Sequence, residues 1–340
     1  MGEFIALGHA FTVRAFGAPD AGLAALLGAH RGLVRGFELV DTPAAIAAAA
    51  GAIRRLKDAA SVRVHLSPLR AKRGTDASPG GAFAVNDGVH HGFAAQDAEP
   101  AKELAEAGGL ASAIDGLVFR IVREGSGWDE IAAARALAAS LGMNATVTVR
   151  LAATKSPAEA QRDDREHANR VAEAVLAAAA YPEMDIFIDT VADIDRGYFV
   201  RKGLVDRRYN PRLAAAGVMH LNEALARIEG DLTLRPKSAV AGCRLATFRT
   251  PDAHHAVILP DRASMLAEIA LPASGANAAG KGAVAQLDSG VVARIPWRRR
   301  GAGSEAGIRF ARPLQCDAPA LFLIPAGGTA LQAPSVLRIV

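Results

Sequence analysis

Over roughly its first 230 residues the chain alternates short apolar runs with longer segments of helical periodicity, the signature of parallel βαβ units. Strands are expected at Phe4 to Val13, Val34 to Val40, Val62 to Leu66, Leu117 to Val122, Ala145 to Leu151 and Ile186 to Ile188. Between and after them, helices are expected at Ala21 to His30, Thr42 to Ala59, Glu99 to Ala107, Trp128 to Leu141, Pro157 to Ala180 and Arg212 to Ile228. Thr42 suits an N-cap because its hydroxyl can accept from the first turn, and Pro43 suits the first helical position, where no N–H is needed. Right-handed crossovers between successive parallel strands then favour a (β/α) barrel of the TIM type over a short open sheet. A full barrel has eight strands and six are clear, which leaves three options. Part of the Gly, Pro and Asp-rich stretch from Ser67 to Asp97 supplies another strand, the barrel is incomplete, or the sheet is open. That stretch is too long for an ordinary connection, and such loops are usually functional or mobile.

From about Lys237 the helical period disappears. Short β-like runs follow at Arg244 to Arg249, His255 to Leu259, Leu266 to Leu271, Ala283 to Leu287, Val291 to Ile295 and Ala320 to Ile324. Gly, Pro, Asp and Ser separate them, which predicts a small antiparallel β-sandwich. The domains expected are therefore a barrel-like domain over 1–232 and a sandwich over 237–340.

Composition narrows the function classes. A hydrophobic content of 51% supports a substantial core, and 39 Lys and Arg against 35 Asp and Glu, spread along the chain, make no case for nucleic acid. The densest basic run, Trp297 to Arg300, is read as a solvated turn. Cys243 and Cys316 stand far apart and outside any CxxC pattern, so neither a zinc site nor a disulfide framework is expected, and a reducing cytoplasm fits. The opening MGEFIALGHAFTVRAFG has no basic n-region, sustained apolar core or small-residue cleavage site, and no run approaches a membrane span. No P-loop, no Gly-x-Gly-x-x-Gly after a strand and no Gly-x-Ser-x-Gly elbow is present, which argues against nucleotide binding and serine hydrolysis. No cofactor is expected.

The stretch MDIFIDTVADIDRGYFVRKGLVDRRYNPR, from Met184 to Arg212, concentrates polar groups where a buried strand leaves the sheet. Ligands bind at the carboxyl ends of parallel strands, so this is a candidate site wall, and a salt-bridged structural loop is the alternative. Phe187, Asp189, Gly203, Leu204, Val205, Asp206, Pro211 and Arg212 resemble, in order, the last barrel strand and final-helix entry of retaining glycoside hydrolases of the large barrel clan. The β-xylosidase and α-iduronidase-like group is the part of that clan meant. Upstream, GFELVDTPAAIAAAAGAIRRLK resembles the clan's fourth strand and helix, with Glu38, Asp41 and Pro43 in frame. The acid/base glutamate of that family falls on Thr42, and Val149 and Arg150 stand where a nucleophile glutamate is expected. The resemblance implies the barrel-plus-sandwich architecture and a saccharide or glycoside partner, with the catalytic glutamates absent.

Glycoside cleavage needs two carboxyls, about 5 Å apart for retention and roughly 6.5 to 9.5 Å for inversion. Asp41 and Asp189 are the expected catalytic pair, although Asp41 has helix capping as its plainer role. Glu38, His65, Arg120, Arg150, Asp193 and Tyr198 are the expected substrate-binding residues. Glu38 alternates with Phe37 and Leu39 and can point into the barrel, and His65 can serve as a base, hydrogen-bond a sugar or be structural. Arg120 and Arg150 lie on strands, where a buried guanidinium calls for a partner such as Asp189 or Glu124. Tyr198, Phe199 and Trp128 are candidates for stacking on a sugar. Asp87, His90 and His91 have metal-ligand chemistry, but no metal is expected there because adjacent histidines point apart. Three readings follow: a glycoside hydrolase acting through carboxylates at the barrel mouth, an inactive glycosidase-like protein that binds saccharide or protein, and a metal-dependent sugar isomerase or epimerase using Glu38, His65 and Asp189.

Overall fold

The computed structural model describes residues 10–69, 91–121, 127–151, 160–189, 191–192, 194–195, 200–201, 203–235, 243–260, 264–270, 279–300, 307–316 and 318–325. The chain forms two compact units that interleave in sequence. The first comprises residues 1–121, 130–149 and 183–187, and the second residues 122–129, 150–182 and 188–340.

A six-stranded parallel sheet organises the first unit, its strands lying side by side in chain order. They are β1 (Phe11–Phe16), β2 (Val34–Asp41), β3 (Arg63–Pro68), β4 (Gly116–Ile121), β5 (Asn144–Arg150) and β6 (Asp185–Asp189). Sequential order with right-handed crossovers puts the connecting helices on one face, as in a barrel. These helices are α1 (Ala21–Ala29), α2 (Pro43–Ala48), α3 (Ala50–Ala60), α4 (Ala98–Glu106) and α5 (Gly127–Ser140). The expected single helix over 42–59 is two, separated at Ala49. Thr42 does cap the first, accepting from Ala45 N–H at 3.2 Å. Thr42→Ala should lower stability by about 1 kcal/mol in urea unfolding.

Strand parity sorts the side chains. Phe37, Leu39, Val64, Leu66, Leu117, Phe119, Val147 and Val149 are all fully buried, and with Ile46, Ile53, Leu56 and Leu104 they make the apolar layer under the helices. The opposite face carries Arg14, Glu38, His65, Arg120, Thr146 and Thr148, which the strand register aligns. That polar face is concave. Asp185 of β6 pairs with Arg63 of β3 at 3.0 Å and with Arg35 at 2.7 Å. In a flat sheet β3 and β6 would stand about 14 Å apart, so the ion pair requires a curl. The result is a half-barrel.

The Ser67 to Asp97 stretch does re-enter the sheet. β3 and β4 pair directly only at His65 with Gly116 and Leu66 with Leu117. Beyond that point residues 91–93 wedge between them: Gly92 N–H donates to Pro68 O at 2.9 Å, Phe93 N–H to Val118 O and Arg120 N–H to Phe93 O, both at 2.8 Å. Gly92 sits at φ +89°, and a Cβ there would meet Val118 O at 3.0 Å, so only glycine fits the insertion.

The second unit contains α6 (Ala160–Ala180), α7 (Leu213–Leu225) and a two-stranded ribbon of β7 (Ile194–Asp195) and β8 (Val200–Arg201). Its main sheet has eight antiparallel strands in the order β12-β15-β14-β13-β16-β11-β10-β9. They are β9 (Thr233–Arg235), β10 (Cys243–Thr250), β11 (Ala253–Pro260), β12 (Ser264–Ala270), β13 (Ala279–Gln286), β14 (Val292–Arg300), β15 (Gly307–Cys316) and β16 (Ala320–Pro325). One face feeds a core of Leu245, Ile258, Leu266, Ile269, Val284, Trp297, Ile308, Phe310 and Phe322. On the other, Arg244 meets Glu173 of α6, and Asn169 Nδ2 donates to Pro260 O at 2.7 Å.

The basic run is not a turn. Trp297 to Arg300 continues β14, with Trp297 3% exposed in the core and Arg300 reaching Glu268 at 2.6 Å on the surface. The two residues point to different sides, so the run is an alternating strand.

Candidate functional site

The concave face of the half-barrel gathers polar side chains from every strand between β1 and β5. Glu38 is its hub. Arg14 Nε donates to Glu38 Oε2 at 2.8 Å, and His91 Nδ1 lies 3.4 Å from Oε1. Burial alone would raise the Glu38 pKa, but the hydrogen bond with His91 and the Arg14 charge hold it below its ordinary 4.5. It is therefore an ionised, doubly braced carboxylate, unsuited to donating a proton at neutral pH.

The wedge delivers His91 to this face. Arg120 Nη1 lies 3.2 Å from His91 Nε2, and Ser67 Oγ lies 2.8 Å from Nδ1. A guanidinium only donates, so Nε2 accepts and Nδ1 carries the proton toward Ser67 and Glu38. Serine and carboxylate thus share one ring nitrogen. A nucleophile relay needs them on opposite nitrogens, so Ser67, His91 and Glu38 form a positioning network and not a hydrolase triad.

His65 is one strand away from Glu38 in register. Its Nδ1 is 2.5 Å from Thr146 Oγ1. Burial, reinforced by the Arg63 charge, lowers its pKa, so the ring is neutral at pH 7. His65 is 5% exposed and Thr148 3%, and neither His65 Nε2 nor Thr148 Oγ1 has a hydrogen-bond partner among the described residues. Buried polar atoms are normally satisfied, so His65 Nε2 and Thr148 Oγ1, with Glu38 Oε1 beside them, leave this concave face with hydrogen-bonding capacity that the described residues do not use.

The expected residues divide as follows. Glu38, His65 and Arg120 come together on the concave face. Arg150 ends β5, and its side chain lies outside the described residues, as do Asp193, Tyr198, Phe199, Glu124, Asp87 and His90. Asp41 ends β2 with the strand parity of Phe37 and Leu39, and its Oδ1 accepts from Thr42 N–H at 2.7 Å. Asp189 ends β6 in the second unit and is half-buried. Trp128, expected as a possible sugar platform, is 1% exposed and is a packing residue. His254 and His255 are buried in β11, as structural histidines of that sheet. Among the described residues no group of three or more His, Cys, Asp or Glu is placed to hold a metal ion, and no helix is long and apolar enough to cross a membrane.

Sequence reasoning did not single out Arg14, Ser67 and Thr146, and it weighed His91 only as a metal ligand, with none expected there. The available signal was the alternation in FTVRAF, RVHLSP and ATVTVR, which sets polar residues at every second position of strands whose other face is apolar.

No protein-family model matches the sequence, and no curated protein matches it. Solved structures do. A family 39 glycoside hydrolase from the gut symbiont Bacteroides cellulosilyticus WH2 superposes with a TM-score of 0.53 at 12% identity, over 89% of this chain and 60% of that one. This chain therefore spans less than two thirds of that protein's length. A family 39 β-xylosidase from Caulobacter crescentus (TM-score 0.41, 12% identity, 89% of this chain and 70% of that one) is also similar. So is a β-porphyranase of family 86 from the human gut bacterium Bacteroides plebeius (0.45, 8%, 94% and 64%). At such identity the likeness is one of fold. The parallel half-barrel with an antiparallel β-domain is an architecture this chain shares with glycoside hydrolases.

Proposed function

We propose that this is a carbohydrate-active protein that takes a saccharide against the concave face of its half-barrel. The observation that carries the reading is the pair of buried, unpartnered atoms, His65 Nε2 and Thr148 Oγ1, on the face that also presents Glu38, Ser67 and Arg120. Sugar hydroxyls both donate and accept, and a neutral imidazole and a threonine hydroxyl complement them without a charge mismatch. Glu38 is committed to Arg14 and His91, which favours recognition over proton transfer.

Hydrolysis through Asp41 and Asp189 is the second reading, since each ends a parallel strand at the edge where barrel enzymes place their carboxyls. A panel of short oligosaccharides and chromogenic glycosides, tested by calorimetry and by product release, distinguishes the readings. Recognition predicts that His65→Ala and Thr148→Val each weaken the best ligand about tenfold, consistent with about 1.4 kcal/mol per lost hydrogen bond. Under that reading Asp41→Asn and Asp189→Asn leave binding intact. Hydrolysis predicts measurable turnover that either Asp→Asn change abolishes. Unchanged affinity in both His65→Ala and Thr148→Val would remove the concave face as the binding site.

A further inference from the structure

Among the exposed large side chains Tyr209 stands apart, at 78% exposure and with a backbone φ of +64°. It occupies the tip of a hairpin in the second unit closed by Val205 against Pro211. Asp206 knots that tip: its Oδ1 accepts from Arg208 N–H at 2.7 Å and Asn210 N–H at 2.9 Å, and its Oδ2 from Asn210 Nδ2 at 2.8 Å. Asp206 N–H donates to Asn210 O and Tyr209 N–H to Asp206 O, both at 2.9 Å. Behind the tip, Arg212 Nη1 is 3.5 Å from Asp164 of α6.

A left-handed backbone is strained for an aromatic residue and free for glycine, and asparagine tolerates it well. Here the strained position carries Tyr209 while the tolerant Asn210 sits next to it. The side chain is also largely solvated, so it returns little packing to the fold. Strain and exposure at one residue of a rigid loop point to a role outside the fold. Two exposed arginines, Arg207 and Arg208, precede it. A preorganised tyrosine offers a flat apolar face at small entropic cost, which matches the C–H face of a pyranose ring, and the neighbouring Arg208 guanidinium can bond its hydroxyls.

We infer that Tyr209 is a saccharide-stacking platform, a second carbohydrate contact on the second unit. This rests on the saccharide reading above but involves none of its residues. The test uses the full chain in affinity electrophoresis through gels containing xylan, hydroxyethylcellulose or soluble starch, with a poly(U) gel as control. Wild type should be retarded by at least one polysaccharide. Tyr209→Gly should weaken that retardation about fivefold, as expected for loss of one stacking contact. The same variant should melt about 2–4 °C higher because strain is relieved. Tyr209→Phe should retain the retardation.

A Tyr209→Gly variant that is more stable yet retarded like wild type would overturn the platform, as would wild type retarded by poly(U) alone or by no gel. If His65→Ala matches wild type while Tyr209→Gly loses retardation, the platform stands and the concave-face reading fails. The converse result reverses that conclusion.

Discussion

Above pH 7, Arg244→Met should lose about 3–5 kcal/mol of stability, because it leaves the buried Glu173 carboxylate of the second unit without its counter-charge. Arg244 Nε and Glu173 Oε1 are 2.5 Å apart, with the side chains 7% and 1% exposed. Gly127 N–H donates to the other Glu173 oxygen at 2.9 Å. Burial pushes the Glu173 pKa up to about 7, against the opposing pull of Arg244 and the Gly127 N–H. The folded value exceeds the ordinary 4.5, so between pH 4.5 and 7 the native state keeps a proton that the unfolded chain releases. Stability from this group is therefore fully present below about pH 4.5 and is lost as pH rises through 7.

Removing Arg244 pushes that pKa further up, so the deficit of the variant should be largest above pH 7 and shrink toward pH 5. Urea unfolding of wild type and variant across that range checks both size and slope. The double variant Arg244→Met, Glu173→Leu should recover most of the loss, since no buried charge remains. His255 works in the opposite direction: burial lowers its pKa to about 4 from 6.5, so its neutral ring disfavours the fold progressively as pH falls through that interval. In wild type the two slopes oppose each other between pH 4.5 and 6.5.

Gly116→Ala should cost about 1–3 kcal/mol or more. A Cβ on Gly116 would lie 2.5 Å from the backbone oxygen of Asn144, on the neighbouring strand. Backbone cannot rotate away as a flexible side chain does, so β4 and β5 must separate. Those strands carry Arg120, Thr146 and Thr148, and the variant should also weaken saccharide affinity. Gly217→Ala in α7, where an added Cβ meets nothing within 4 Å, is the control and should stabilise by up to about 1 kcal/mol. Thermal melts of the two should shift in opposite directions.

The parallel strands were legible because the face covered by helices sets an apolar residue at every second position of a short run between helical segments. β15 was not: Gly307–Cys316 places Arg309, Arg312 and Pro313 among its apolar residues, and a proline argues against a strand unless a partner's register accommodates it. Glu38 and His65 could be nominated because a charged or imidazole side chain inside an apolar strand is unusual. His91 could not be placed beside Glu38, since that proximity depends on residues 91–93 returning between β3 and β4 after a long excursion. Local periodicity carries no information on such a return. Asp41 illustrates the converse, because the sequence supplies a carboxylate at a strand end while parity gives it the opposite face from Glu38.

We propose the concave face of the half-barrel as a saccharide site. A crystal structure of the protein soaked in the oligosaccharide it binds best tests this most directly. A sugar hydroxyl is expected within about 3 Å of His65 Nε2 and another within reach of Thr148 Oγ1, with the Arg14, Glu38 and His91 network unchanged. A sugar bound elsewhere, with only water facing His65 and Thr148, would contradict it.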